Sequence, residues 1–167
     1  MLYITDISQS DHSELLQCLI PDAIFLPIKD IFKRKYQTSD IIVCPWQIQR
    51  DLQIDHQFEQ LANTCWIVAS AGNTNQNINL FSPTAVHNVI TVGALNKKLE
   101  KASHSNFSTA KQLEWVVATN IEINGNLYSG TSAAAVIYSR ILQNCIENDN
   151  LINLKYQVDQ FNLAQKI

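Results

Sequence analysis

Glycine is scarce in this chain: Gly72, Gly93, Gly125 and Gly130 are the only four among 167 residues, against an ordinary share of about 7%. Each is expected to mark a place where the backbone needs it. Charge is also sparse, at 16% of residues, and twelve basic side chains against fifteen acidic ones leave a formal charge of -3. Lys33-Arg34-Lys35 is the one dense basic run, which argues against a nucleic-acid partner, because binding phosphates takes a clustered basic face. No apolar run approaches the roughly 18 to 20 residues needed to cross a bilayer, and the first residues lack the basic start and long apolar stretch of a signal peptide. The expectation is a cytoplasmic protein with no membrane partner.

Other signatures are missing too. Cys18, Cys44, Cys65 and Cys145 stand singly in apolar stretches, without a Cys-x-x-Cys pair or a histidine at zinc spacing, so they are expected as buried thiols. No acidic cluster suggests calcium, and no Gly-x-Gly-x-x-Gly or Walker loop suggests a nucleotide. Neither metal nor cofactor is expected.

What is present is an apolar share of 46%, ordinary for a soluble domain, on a chain long enough to bury about two-thirds of its unfolded surface. Residues 1–167 read as one compact domain. Strand-length apolar runs alternate with helix-period segments, which predicts an α/β fold with a mainly parallel sheet flanked by helices. The expected strands are Leu2 to Thr5, Ala23 to Ile28, Ile41 to Cys44, Cys65 to Ser70, Val89 to Ala94 and Trp115 to Ala118. A polar loop is expected from Lys29 to Asp40, and a turn at Asn124-Gly125. Asp11 and Glu14 have the spacing of a capping box ahead of a helix stopped by Pro21. Ile54, Phe58, Leu61 and Ala62 make a core-facing helical stripe. Ser132 to about Ile146 reads as a helix buried nearly all round, and 151–167 as an outer amphipathic helix.

Three glycine-bearing stretches carry chemistry by their order: Ser70-Ala71-Gly72-Asn73 after a buried strand, Val92-Gly93-Ala94 closing another, and Gly130-Thr131-Ser132-Ala133 opening a buried helix. With Ser82-Pro83 and the stretch Ala102 to Ser108, they resemble the subtilisin-like serine proteases, most strongly from Trp66 to Ile137. The resemblance implies a shortened three-layer subtilisin-like fold. It also implies that Ser132 is the nucleophile, that Asn73 and the Ser132 amide form the oxyanion hole, and that Gly72 and Gly130 let the substrate approach. Asp6, ending the first strand, and His12, starting the next helix, then stand where that family has its acid and base, in the chain order Asp, His, Ser; a rival alignment sets His12 on a different histidine a little past the family's acid, with the base deleted. A serine in the first turn of a buried helix fits such a role physically, since free backbone N–H groups and the positive end of the dipole lie beside it.

The chain departs from the family pattern at definite places. Asp6-Ile7-Ser8 replaces Asp-Thr-Gly, His12-Ser13-Glu14 replaces His-Gly-Thr, Val136 stands for a proline after the nucleophile, and Cys44-Pro45-Trp46 stands where the cleft strand ends in Ser-Leu-Gly. Two functions are therefore carried forward. One is an intracellular peptide- or protein-processing serine endopeptidase; the other is an inactive relative that binds a peptide or a partner protein, or completes a composite enzyme. His56, His87 and His104 are expected to be structural or solvated.

Overall fold

In the computed structural model of the chain, residues 1–6, 16 and 18–166 are described, residue 6 by its backbone alone. The expected capping box at Asp11 and Glu14, and His12, lie outside the described residues.

Six strands form one sheet, β1 (Leu2–Asp6), β2 (Ile24–Pro27), β3 (Ile41–Cys44), β5 (Trp66–Ser70), β7 (Ile90–Leu95) and β8 (Glu114–Val117), in the order β2-β1-β3-β5-β7-β8. Every pairing in it is parallel. All four residues of β3 are buried, and the pleat divides them. Ile41 and Val43 join one apolar cluster, Ile42 and Cys44 the other. A strand covered on both faces reads as an unbroken apolar run for this reason.

The second cluster is closed by Phe58 and Leu61 of α2 (Leu52–Leu61). Asp51 starts that helix, its carboxylate accepting from Gln53 N at 2.8 Å and Ile54 N at 3.2 Å, a side-chain cap for amides that lack helical partners. Two short strands, β4 (Ile48–Gln49) and β6 (Phe81–Ser82), pair antiparallel nearby. The expected second strand stops one residue early, because Ile28 begins a single helical turn, α1 (Ile28–Ile31), at the head of what reads as a polar loop. Ile31 explains the difference: it is fully buried, and the turn aims it into the core.

The first cluster is closed by α3 (Thr131–Glu147), whose residues Thr131 to Ser139 are all buried. A helix apolar all round must be enclosed, and α4 (Leu154–Ala164) packs outside it through Val158. On β7, Gly93 pairs with Trp115, and a Cβ there would lie 2.3 Å from the indole ring. The expected turn at Asn124-Gly125 joins β9 (Ile121–Ile123) to β10 (Asn126–Tyr128), with φ of +53° and +78°. Cys44, Cys65 and Cys145 are buried as expected, but Cys18 is exposed: it sits on the outer side of its segment, while Leu16 and Ile20 take the core positions. Among the described residues, no helix is long and apolar enough to cross a membrane.

Candidate functional site

The C-terminal ends of β3 and β5 face the N-terminus of α3, the crevice where open parallel sheets hold ligands. Gly130 precedes the helix at φ +101° and ψ 169°, a conformation open to glycine and strained for other residues. Its amide donates to Ala118 O at 2.8 Å, just past β8, so the helix is started by the sheet.

A serine or threonine at a helix start usually caps it, but neither the Thr131 nor the Ser132 hydroxyl caps α3. The Thr131 hydroxyl instead accepts from Gly72 N at 3.0 Å. The Ser132 hydroxyl donates to Pro45 O at 2.8 Å, and Ser132 is only 7% exposed. Asn73 Oδ1 accepts from Thr131 N at 3.0 Å. That bond fixes the Asn73 amide plane and leaves Nδ2 as the outward donor on an exposed residue. The first α3 amide to reach a carbonyl of its own turn is Ala134 N, bonded to Gly130 O. The Ser132 and Ala133 amides therefore have no intrahelical partner. Ser132 Oγ, Ser132 N and Asn73 Nδ2 thus belong to one corner of the molecule.

Sequence reasoning missed the residue that holds this corner in shape. Asn106 is fully buried; its Oδ1 accepts from Thr74 N, Gln76 N and Thr74 Oγ1 at 3.1, 2.8 and 3.0 Å. Its Nδ2 donates to Ala71 O at 2.8 Å and to Gln47 Oε1 at 3.2 Å. It grips the loop on both sides of Asn73 and ties it to the segment after β3. The signal was present, since Asn106 lies in the Ala102 to Ser108 stretch, but one asparagine in a polar run has nothing local to single it out. Trp46 was likewise legible only as a departure. Its Nε1 donates to Thr5 O at 3.0 Å, binding the ends of β3 and β1 one residue before Asp6. Asp6 is the last residue of β1, in register with Pro27.

Burial raises the Cys44 thiol well above the ordinary range, so it is no rival nucleophile beside Ser132. At Gly72 the Gln47 amide lies against the Cα: a Cβ there would lie 2.1 Å from Gln47 Oε1. His56 and His87 are exposed, and His104 is partly buried with an unpartnered Nε2. Among the described residues, no group of three or more His, Cys, Asp or Glu side chains could hold a metal ion.

The sequence model of the Subtilase family matches residues 40–150. No match was found in a search of curated proteins. Among solved structures, the chain is similar to a cold-adapted subtilisin-like serine proteinase, with a TM-score of 0.65 and 16% identity over 83% of this chain and 59% of that one. It is also similar to the prenylagaramide maturation protease PagA, with a TM-score of 0.68 and 16% identity over 92% of this chain and 79% of that one. A third similar structure, of proteases from Pseudoalteromonas arctica, has a TM-score of 0.56 and 15% identity over 86% of this chain and 55% of that one. The chain thus spans less than two thirds of the first and third of these proteins.

Proposed function

From the premise that the chain belongs to the subtilase family, we propose that it is a serine endopeptidase in which Ser132 is the nucleophile. The observation that carries this reading is the Thr131 N to Asn73 Oδ1 bond, which sets the Asn73 amide beside the first turn that bears Ser132.

The reaction follows from general chemistry. Ser132 Oγ leaves Pro45 O, gives its proton to His12 and forms a bond to the peptide carbonyl carbon. The oxygen becomes an alkoxide held by Ser132 N and Asn73 Nδ2, donors placed before charge develops. As the C–N bond breaks, His12 passes the proton to the departing amine; water, activated by the same histidine, then hydrolyses the ester and restores the serine. Asp6 orients His12. The fold likeness to a maturation protease supports a peptide- or protein-processing role, and the cytoplasm is the proposed compartment.

A second reading is favoured by one observation: the Ser132 hydroxyl is engaged by Pro45 O, a backbone acceptor that cannot take its proton. On that reading the domain binds an extended peptide or a partner chain without turnover. Labelling by a fluorophosphonate probe separates the two. The enzyme reading expects labelling that disappears in Ser132→Ala and His12→Ala; a folded wild-type protein that stays unlabelled selects the binding module.

A further inference from the structure

Resting on the serine-endopeptidase reading, we infer that the Gln47 side chain is a built-in plug that restricts the residue on the acyl side of the scissile bond to glycine or alanine.

A carbonyl carbon attacked by Ser132 must come within about 3 Å of Oγ, with its oxygen toward Asn73 Nδ2 and Ser132 N. Two backbone segments flank that point. One is Pro45 to Gln47, joined to the nucleophile by the Ser132 hydroxyl; the other is Ala71 to Asn73, joined to the same helix turn through Thr131. The residue carrying the carbonyl lies between them, so the space its side chain can enter is bounded by Gly72 on one side and the 45–47 segment on the other.

Gln47 occupies that space. An added Cβ on Gly72 would lie 2.1 Å from Gln47 Oε1, 2.3 Å from Cδ and 2.4 Å from Nε2, so the whole carboxamide lies against the Gly72 Cα. The amide is also held: its Oε1 accepts from Asn106 Nδ2 at 3.2 Å, and Asn106 is fully buried and bonded to the backbone of Ala71, Thr74 and Gln76. A glutamine on a flexible stem would ordinarily swing aside for a larger group, but here the swing breaks a bond to a buried donor. Glycine at position 72 is what lets the amide approach, and the amide in turn leaves room for little beyond a methyl group.

The test uses acetylated tetrapeptide anilides identical except for glycine, alanine, leucine or phenylalanine before the anilide, assayed on wild type and Gln47→Ala. Wild type is expected to favour glycine and alanine over leucine and phenylalanine by at least about tenfold in kcat/KM. Gln47→Ala is expected to raise the leucine-to-alanine ratio by about as much. Equal wild-type rates across the series, or a ratio unmoved by the substitution, overturns the inference. A second arm needs no turnover: binding of the corresponding product peptides, ending in each of the four residues, to Ser132→Ala with and without Gln47→Ala. If no anilide is cleaved but alanine-ended peptides bind at least about tenfold tighter than phenylalanine-ended ones until Gln47 is truncated, the plug stands and the protease reading falls. Binding indifferent to the last residue, or no binding at all, removes the plug.

Discussion

At Asn73 the structure separates what one side chain does for the fold from what it offers a reaction: Oδ1 is spent on Thr131 N, and Nδ2 is left over. Asn73→Ala is accordingly expected to lower kcat on the order of 10²- to 10³-fold with little change in KM, the usual consequence of losing one oxyanion donor. Steady-state kinetics on a cleaved peptide check this, and an equal rise in KM would assign Asn73 to substrate binding instead. Gly130 is needed for a different reason. A Cβ there would meet Asn73 Oδ1 at 3.4 Å, an ordinary contact, but φ is +101°. Gly130→Ala is therefore expected to destabilise by about 1 to 3 kcal/mol through backbone strain, read from the urea midpoint. Asn106→Leu removes the buried partner of Ala71 O and of the Thr74 and Gln76 amides. Its expected cost is about 1 to 3 kcal/mol for each group left dry.

Edge strands expose a row of unpaired backbone groups, and β8 is the last strand on its side of the sheet. Asn162 of α4 closes it: Oδ1 accepts from Val117 N at 2.7 Å and Nδ2 donates to Trp115 O at 2.9 Å. One carboxamide thereby imitates the donor and acceptor of a neighbouring strand, while the helix that carries it covers the edge. Asn162→Leu keeps the apolar packing and removes both bonds, so it is expected to cost about 1 to 3 kcal/mol and to increase self-association. Thermal unfolding and light scattering measure the two effects, and a variant as stable and monodisperse as wild type would show that α4 protects the edge by covering alone. Gly93 and Trp115 are a second device at element scale, a residue without a side chain accommodating a large ring from the adjacent strand.

Across the whole molecule, the half-buried cation Lys111 links stability to pH. Its Nζ donates to the carbonyls of Thr84, Val86 and Val89, the turn that leads into β7. Burial pushes its pKa down to about 8 from 10.5. Between those values the unfolded chain holds a proton that the folded chain has released. Stability from this group therefore rises with pH from about 8 to 10.5 and is flat below 8. The rise is expected in chemical denaturation of wild type and absent in Lys111→Met; the same slope in both would place its source elsewhere. The sequence alone determined the sheet and its two covering helices, because both rest on local period: four apolar residues at Ile41 to Cys44 have to be buried on both faces, and a helix apolar from Ala133 to Ile137 has to be enclosed. It also placed Asn73 and Ser132 in their motifs, because Ala-Gly-Asn and Gly-Thr-Ser are contiguous. Only the tertiary structure decided that the Thr131 and Ser132 hydroxyls reach across to Gly72 and Pro45 instead of capping their own helix. It alone brought Gln47 onto Gly72 and Asn106 beneath both. Those contacts join residues up to 87 positions apart, and no local preference of asparagine, glutamine or serine carries information about a partner that only the packing of β3, β5 and α3 supplies.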